Sequence, residues 1–331
     1  MKEELIMKGK KLLGIILTLG MLSCVFGGCG NSADQGKGGD KGKGGNVAVV
    51  LKALNSDYWK TVQAGANDAA KELGVKVQVL GPNAETDVVG QTSLIEDQIV
   101  KGVDALVVAP LQPNAAITTF DKAEKEKIPV VLIDTDANWD KKKSFVGTGN
   151  IAAGKLGGEY IAKKLKKGDE AIIIRGVPGD RTQDERTQGA QKALEAAGIK
   201  VVEIQPANSE REKAISVMEN LLQTHPNIKG VFCTNDEMAL GAVKALQQAG
   251  KKNIISIGVD GSPDALKSIK EGGLTGTVAQ NSYDIGKKGV ETAVKVLRGE
   301  KVETRIDTGT TLVDKQNVNE QEAKLNKILG K

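Results

Sequence analysis

Polar side chains follow several apolar runs in this sequence, and an aromatic pair stands among them. The stretch NSDYWK, residues 55–60, places Tyr58 beside Trp59 in a chain with only 3% aromatic residues. Carboxylates and amides accept hydrogen bonds from hydroxyl groups, cationic groups donate hydrogen bonds to oxygen atoms, and aromatic rings cover apolar C–H faces. This combination suits an uncharged, polyhydroxylated ligand. The residues that follow the runs are Lys52 through Trp59, Asp134, Arg181 through Arg186, Asn235, Asp260 and Gln280.

Other chemistry has little support in the sequence. His225 is the only histidine, and it precedes a strand-like run, at the sheet edge away from the expected ligand. The sequence has no cysteine pair or His-Glu-x-x-His spacing for a metal, and DTDANWD (134–140) lacks the full calcium-loop pattern. GTGNIA (147–152) fits a dinucleotide fingerprint, but a lone match is weak. We therefore expect no enzyme, no catalytic residue, no cofactor and no metal.

The elements that would position the polar residues alternate along the chain from Asn46 onward. β-Branched runs such as ALVVAP and IPVVLID are separated by stretches with helical periodicity, which is typical of parallel sheets built from βαβ units. The number of runs exceeds what one small sheet would use. We predict an α/β fold with two doubly wound parallel-sheet lobes. In such sheets ligands bind beyond the carboxyl ends of the strands, where the polar residues would meet.

The aromatic residues each leave two alternatives open. Tyr58 and Trp59 either stack on the ligand ring or form the first turn of a helix and pack onto the sheet. For Trp59, which stands beside polar residues at the end of a run, we favour the first alternative. Trp139 either packs locally or lies at the rim of the cleft.

The N-terminal segment indicates export. Lys8, Lys10 and Lys11 stand just ahead of an apolar run over residues 12–26, which is typical of a secretory signal and short for a membrane span. The run ends in small residues and cysteine and resembles a bacterial lipoprotein signal. Cys29 is the expected lipidated residue, and Cys24 is the alternative. Translation starts at either Met1 or Met7.

The segment after Cys29 predicts a flexible tether. Residues 30–45 lack apolar side chains apart from one alanine and are rich in glycine, which is typical of a linker that leaves the orientation of the attached domain free. The formal charge of +4 falls when the signal is removed, and acids and bases are interspersed, which argues against a nucleic-acid surface. Cys233 would then be the one thiol besides the anchor, and we expect it to pack in a core.

Four stretches resemble the periplasmic sugar-binding proteins of the ribose-binding type. They read QPANSEREKAISVMENLL (205–222), VFCTNDEMALGA (231–242), GVDGSPDA (258–265) and GTVAQ (276–280). The similarity runs from Val47 to about Lys315, and VAVVLKALNSDYW is more similar to the allose-binding members. The resemblance implies two similar lobes joined by three crossovers. The implied organisation is a signal peptide at 1–28, a tether at 29–45, an N-terminal lobe at 46–148 plus 281–308, and a C-terminal lobe at 149–280 plus 309–331.

The resemblance also implies which residues contact the sugar. Carried over position by position, they are Lys52, Ser56, Tyr58, Trp59, Asp134, Arg186, Asn235, Asp260 and Gln280. Four positions depart from the family, and the last three of them are further ligand candidates. Ser56 replaces the usual Asn, Thr135 replaces Arg or Glu, Ser209 replaces a large aromatic residue, and Val259 replaces the Phe of the ribose-type protein. The loss of the aromatic side chain at 209 is expected to open one side of the pocket.

The resemblance implies a function in transport. The chain would bind a hexose or pentose, such as an allose-like or ribose-like sugar, between closing lobes and deliver it to the permease of an ABC importer. ATP hydrolysis would belong to a partner subunit, because the chain has no G-x-x-x-x-G-K-[ST] loop. It would be a monomer held at the outer face of the cell membrane by its lipid. The alternative is a sensor that presents sugar or polyol to a chemoreceptor or kinase. A nucleotide-dependent enzyme is a remote alternative.

Overall fold

The computed structural model describes residues 45–330. Cys24, Cys29 and the tether up to residue 44 lie outside the described residues, so the expectations for them remain predictions. Among the described residues, no helix combines the length and apolar character needed to cross a membrane.

Strands and helices alternate along the described residues. The strands are β1 (Asn46–Val50), β2 (Lys76–Leu80), β3 (Ala105–Val108), β4 (Val130–Ile133), β5 (Ser144–Gly147), β6 (Glu170–Arg175), β7 (Lys200–Pro206), β8 (Gly230–Cys233), β9 (Ile255–Asp260), β10 (Gly276–Gln280), β11 (Arg305–Asp307) and β12 (Thr310–Asp314). The helices are α1 (Asp57–Leu73), α2 (Val88–Val100), α3 (Pro113–Lys125), α4 (Asn150–Lys164), α5 (Arg181–Ala196), α6 (Arg211–Thr224), α7 (Asp236–Gln248), α8 (Pro263–Glu271), α9 (Ser282–Leu297) and α10 (Val318–Ile328).

The strands form two six-stranded sheets. The first has the order β11-β5-β4-β3-β1-β2 and is parallel throughout. The second has the order β12-β10-β9-β8-β6-β7 and is parallel except for the antiparallel pair of β10 and β12. The predicted α/β fold with two doubly wound lobes is confirmed.

Each lobe consists of one sheet with helices on both faces. The first lobe carries α1, α2, α3 and α9, and the second carries α4 through α8 and α10. The chain passes between the lobes at residues 147–150, 280–282 and 307–310. In both sheets the strand order reverses beside the first strand, at the β1/β3 and β6/β8 neighbours, and the crevice at such a point is where doubly wound sheets bind ligands.

The central strands are buried because helices cover both of their faces. The runs VAVV in β1, ALVV in β3 and VVLI in β4 are at most 2% exposed, as expected for parallel strands that read as continuous apolar sequence. Successive side chains point to opposite faces, so each sheet separates two apolar clusters. The sheets are therefore stable platforms for the loops at their carboxyl ends.

Two helix pairs approach so closely that only glycine fits between them. A Cβ atom at Gly154 of α4 would lie 2.1 Å from the carbonyl oxygen of Arg186, and one at Gly189 of α5 would lie 2.2 Å from that of Ile151. Gly65 of α1 and Gly286 of α9 are packed in the same way. The α4–α5 contact fixes the position of Arg186, one of the residues expected to contact a ligand.

We expect Gly154→Ala to reduce both stability and ligand affinity. The added methyl group must push α5 away from α4, and such overpacking costs about 1–3 kcal/mol. Because Arg186 lies at that contact, its guanidinium would shift within the site. Thermal unfolding and calorimetric titration would measure the two effects. Ala152→Ser, on the exposed side of the same helix, serves as the control, and equal behaviour of both variants would contradict the proposed role of this close contact.

Candidate functional site

Helix N-termini from both lobes meet at the cleft, and polar caps hold them there. Ser56 precedes α1 and accepts a hydrogen bond from the backbone N–H of Trp59 at 3.4 Å. Asp180 precedes α5 and accepts from the N–H of Thr182 at 2.9 Å. Asn235 precedes α7 and accepts from the N–H of Met238 at 2.9 Å. These residue types are favoured at N-caps, so local structure already fixes these cleft residues.

An inner chamber of about 20 Å³ lies between the lobes. It is lined by Lys52, Tyr58, Trp59, Glu85, Asp134, Thr182, Gln183, Arg186, Asn235, Asp260 and Gln280. Eight of the nine residues carried over from the resemblance are in this lining, which has contributions from both lobes. The ninth, Ser56, borders a neighbouring chamber. The structure thus brings the polar strand ends of both sheets to one place.

The neighbouring, outer chamber has a volume of about 250 Å³. It shares Tyr58, Trp59, Glu85, Asn235 and Asp260 with the inner chamber, so the two are parts of one cleft. Its remaining lining is Asn55, Ser56, Ala84, Asn208, Ser209, Glu210, Arg211, Glu212 and Glu237. The small side chain of Ser209 is on this wider side of the cleft.

A buried charge cluster forms the first lobe's side of the inner chamber. The ammonium of Lys52 is 3.3 Å from Asp134 Oδ1, and the Tyr58 hydroxyl donates to Asp134 Oδ2 at 2.8 Å. Burial alone would raise the pKa of Asp134, but Lys52 and Arg186 outweigh it and the pKa is lowered. Burial would lower the pKa of Lys52, but Asp180 and Asp134 outweigh it and the pKa is raised. Both groups are therefore charged at neutral pH.

A second cluster forms the other lobe's side of the chamber. The Arg186 Nε–H donates to Asn150 Oδ1 at 2.9 Å, and an Nη1 hydrogen is donated to the carbonyl of Thr234 at 3.0 Å. Nη1 lies 3.5 Å from Asp260 Oδ1, which also accepts from the Gln280 side-chain amide at 2.8 Å. Burial raises the pKa of Asp260 well above its usual value, although Arg186 opposes the shift.

The two site aspartates occupy corresponding places in the two lobes. Asp134 follows β4 and Asp260 ends β9, each the fourth strand of its lobe in chain order. Their φ angles are 60° and 135°. Non-glycine residues rarely adopt such angles, which cost about 1–3 kcal/mol each and cluster at functional sites. This shared strain marks both strand ends as functional positions.

The aromatic pair both packs on the sheet and borders the cleft. Tyr58 and Trp59 are in the first turn of α1, and their ring centroids are 4.9 Å apart in an edge-to-face arrangement. Each is under 10% exposed and packs against the first lobe's core. Both also line the two chambers. Trp139 packs locally against Phe120 at 5.4 Å between ring centroids, which decides between its two alternatives.

Of the three additional candidates, Thr135 and Val259 line neither of the two chambers. Val259 lies in the apolar cluster on the α4 side of the second sheet, because its side chain points to the face opposite its neighbours in β9. Thr135 is fully buried, and its hydroxyl donates to Asp134 Oδ1 at 2.8 Å. In this closed structure Val259 is a core residue and Thr135 a support for Asp134.

The sequence reasoning missed the lining residue Glu85 and the ion-pair partner Asp180, whereas Thr182 and Gln183 fall within the polar stretch 181–186 that it singled out. Glu85 comes from the loop five residues beyond β2, and Thr182 and Gln183 come from the first turn of α5. Asp180, which precedes that turn, accepts from the Lys52 ammonium at 2.6 Å. Asp180, Thr182 and Gln183 are in or beside the polar stretch that follows β6. Glu85 had no signal in the sequence, because it lies in the middle of the loop after β2 and not directly after the apolar run.

The two lobes are joined across the cleft by polar contacts of the β6–α5 loop. Besides the Lys52–Asp180 ion pair, the Gln112 side-chain amide donates to the carbonyl of Pro178 at 3.0 Å. The Arg181 guanidinium donates to Asn138 at 2.9 Å. The cleft is therefore in a closed arrangement, in which a polar ligand would be surrounded by donors and acceptors from both sides. Residues 45–330 contain no group of three or more His, Cys, Asp or Glu side chains placed to hold a metal ion.

Comparison with known proteins agrees with this geometry. The model of the periplasmic binding protein domain matches residues 47–301 of the chain. The chain belongs to the periplasmic binding protein family. The curated relatives of this chain include extracytoplasmic sugar-binding proteins of transport systems.

Two curated relatives and one solved structure illustrate the similarity. The ribose import binding protein of Salmonella typhimurium is 38% identical over 82% of this chain and 90% of its own length. The D-allose-binding periplasmic protein of Escherichia coli is 38% identical over 77% of this chain and 85% of its own length. A carbohydrate transporter solute binding protein from Agrobacterium radiobacter, solved in complex with D-arabinose, is 33% identical with a TM-score of 0.82, covering 85% of this chain and 98% of that one. The predicted relation to ribose-type and allose-type binding proteins is confirmed.

Proposed function

We propose that this protein binds a monosaccharide in the cleft and delivers it to the permease of an ABC importer. The observation that carries the proposal is the convergence of Lys52 and Asp134 from one lobe with Arg186 and Asp260 from the other. The ring would lie where the two chambers meet, against Tyr58 and Trp59. The names of the curated relatives support the same class of ligand.

The hydrogen-bond donors and acceptors of the cleft are sufficient for micromolar affinity for a sugar. Each carboxylate can accept from two hydroxyl groups, and the guanidinium presents donors in a fixed fork. A hydrogen bond involving a charged group contributes about 1.5–3 kcal/mol. Several of them reach the roughly 8 kcal/mol of a micromolar complex after ordering costs. Because the contacts come from both lobes, a bound sugar would favour the closed arrangement.

Ligand entry would require the lobes to separate. The inner chamber of about 20 Å³ has room for only about one water molecule. Hinge closure around a ligand is a common transition in two-lobed binding proteins. We infer hinges at the three crossovers, with lobes of 46–148 plus 281–308 and 149–280 plus 309–331. The proposed role is binding and delivery of the sugar, without a catalytic step.

We further propose that the mature protein is tethered to the outer face of the cell membrane through a lipid on Cys29. The support is the lysine-flanked apolar segment that ends near this cysteine, followed by the glycine-rich stretch. The energy for transport would come from the ATPase of the importer. Labelling of cells with a radioactive fatty acid, comparing the wild type with Cys29→Ala and Cys24→Ala, would locate the lipid.

A melting-temperature screen tests the binding proposal. Monosaccharides and polyols are compared with NAD as the negative control. At a hundredfold excess over its dissociation constant, a ligand stabilises the folded protein by about 2.7 kcal/mol, which gives a clear shift. We expect a pentose or hexose to produce it. A shift with NAD and none with any sugar would contradict the proposal.

A further inference from the structure

Glu85 occupies a central place in the cleft. It comes from the loop between β2 and α2 and borders both the inner and the outer chamber. Its Oε1 accepts a hydrogen bond from the indole N–H of Trp59 at 2.8 Å. Its Oε2 is buried and makes no hydrogen bond within the part of the chain that the structure describes. A buried acceptor of this kind is costly unless something else pairs with it.

The cations of the inner chamber are already committed to other groups. The Lys52 ammonium has three hydrogens and three oxygen partners, Asp180 at 2.6 Å, Thr182 at 3.1 Å and Asp134 at 3.3 Å. Arg186 is bonded to Asn150 and Thr234 and paired with Asp260. Lys52 therefore acts on Glu85 only through space.

The outer chamber has an excess of negative charge. Its one basic lining residue, Arg211, pairs with Glu237 at 2.8 Å and with Asp264 at 3.0 Å. Glu210 and Glu212 add two more carboxylates at the exposed mouth. Burial raises the pKa of Glu85, and the charge on Asp180 acts in the same direction. The Lys52 charge opposes this rise in pKa, but its hydrogens are committed to other oxygen atoms, so no basic side chain of the described residues donates a hydrogen bond to Glu85.

We propose that Glu85 binds an ammonium group on the ligand, so that the protein prefers an amino-substituted sugar or polyol to its neutral parent. This inference rests on the proposed sugar-binding function and names the substrate class. A buried charge is tolerated when an opposite charge pairs with it, and the ligand would supply that charge. The carboxylate is at the junction of the chambers, where the ring is placed.

Ser209 provides a second contact for the same group. It is in the loop between β7 and α6, on the opposite lobe from Glu85, and borders the outer chamber. Its buried hydroxyl oxygen has no partner at hydrogen-bond geometry among the described residues, but the hydroxyl faces the Glu85 carboxylate and lowers its pKa as a weak donor would. An ammonium group with three hydrogens can donate to both oxygen atoms and would join the lobes.

Calorimetric titration of the full chain in detergent tests the inference. The probes are D-glucose, its 2-amino, 3-amino and 6-amino derivatives, and N-acetyl-D-glucosamine. D-Galactose and D-mannose are each compared with their 2-amino forms. The acetyl compound keeps a substituent at the same carbon but removes the charge. A pH of about 6.5 keeps the amines protonated. Each probe is measured on the wild type, on Glu85→Gln and on Glu219→Gln, which removes an equal charge from an exposed position of α6 that lines neither chamber.

We expect at least one amine to bind the wild type about tenfold or more tightly than its neutral parent, since charge-assisted hydrogen bonds are the stronger ones. Glu85→Gln should remove most of this preference, and Glu219→Gln should retain it. If neutral sugars bind as well as or better than every amine, or Glu85→Gln leaves an amine preference unchanged, the role of Glu85 is wrong while sugar binding stands. If neither amines nor neutral sugars, including D-ribose and D-allose, bind, the proposed function itself fails.

Discussion

Replacing Arg186 by methionine is expected to abolish sugar binding and to destabilise the protein. Arg186 is 2% exposed, and its guanidinium holds Asp260, Asn150 and the carbonyl of Thr234 in place. Removal of one member of a buried ion pair costs about 3–5 kcal/mol, because the remaining charge is left uncompensated. The loss of its ligand hydrogen bonds would weaken binding by at least about a hundredfold. Denaturant unfolding and calorimetric titration measure the two quantities.

A double variant separates the two effects. Arg186→Met together with Asp260→Asn removes the stranded carboxylate charge and should recover much of the lost stability. Sugar binding should remain lost, because both proposed ligand contacts are changed. If Arg186→Met alone binds the sugar found in the screen with wild-type affinity, Arg186 is not part of the binding site.

Replacing Lys52 by methionine is expected to open the cleft. The ammonium joins Asp134 of its own lobe to Asp180 of the other lobe. Without it the two carboxylates would face each other in a buried site, which favours separation of the lobes by about 3–5 kcal/mol. Small-angle X-ray scattering of the segment from residue 45 onward should therefore give a larger radius of gyration than that of the wild type without ligand.

The controls for Lys52 use a surface lysine and a compensating change. Lys60→Met removes an exposed ammonium paired with Asp57 and should leave the scattering curve unchanged, since such surface pairs contribute little. Lys52→Met with Asp180→Asn lowers the repulsion and should return part of the compaction. Identical curves for the wild type and Lys52→Met would show that this ion pair does not hold the lobes together.

The fold could be predicted from sequence because its signals are strong and local. The runs in β1, β3 and β4 are continuously apolar, as strands buried on both faces must be. Their alternation with helical stretches leaves few arrangements other than doubly wound sheets. The same reasoning placed Asp134, Asn235 and Asp260 at strand ends, and the structure brings them to the same cleft.

The remaining features depend on how the lobes meet, which no local pattern reports. The Lys52–Asp180 pair joins residues 128 positions apart and exists only when the cleft is closed. Glu85 reaches the cleft because the loop after β2 folds back towards Trp59, and this path is not written in any periodicity. Val259 and its neighbour Asp260 point to opposite faces of β9. The resemblance gave the position of Val259 but not the direction of its side chain in this chain.

A crystal structure with the tightest monosaccharide or amino sugar from the screens tests most directly whether both lobes hold one ligand. We predict one ring at the junction of the chambers, against Tyr58 and Trp59, with direct hydrogen bonds to Asp134 from the first lobe and to Arg186 or Asp260 from the second. A ring bound to one lobe alone, or outside the shared cleft, would contradict binding by convergence of the two lobes.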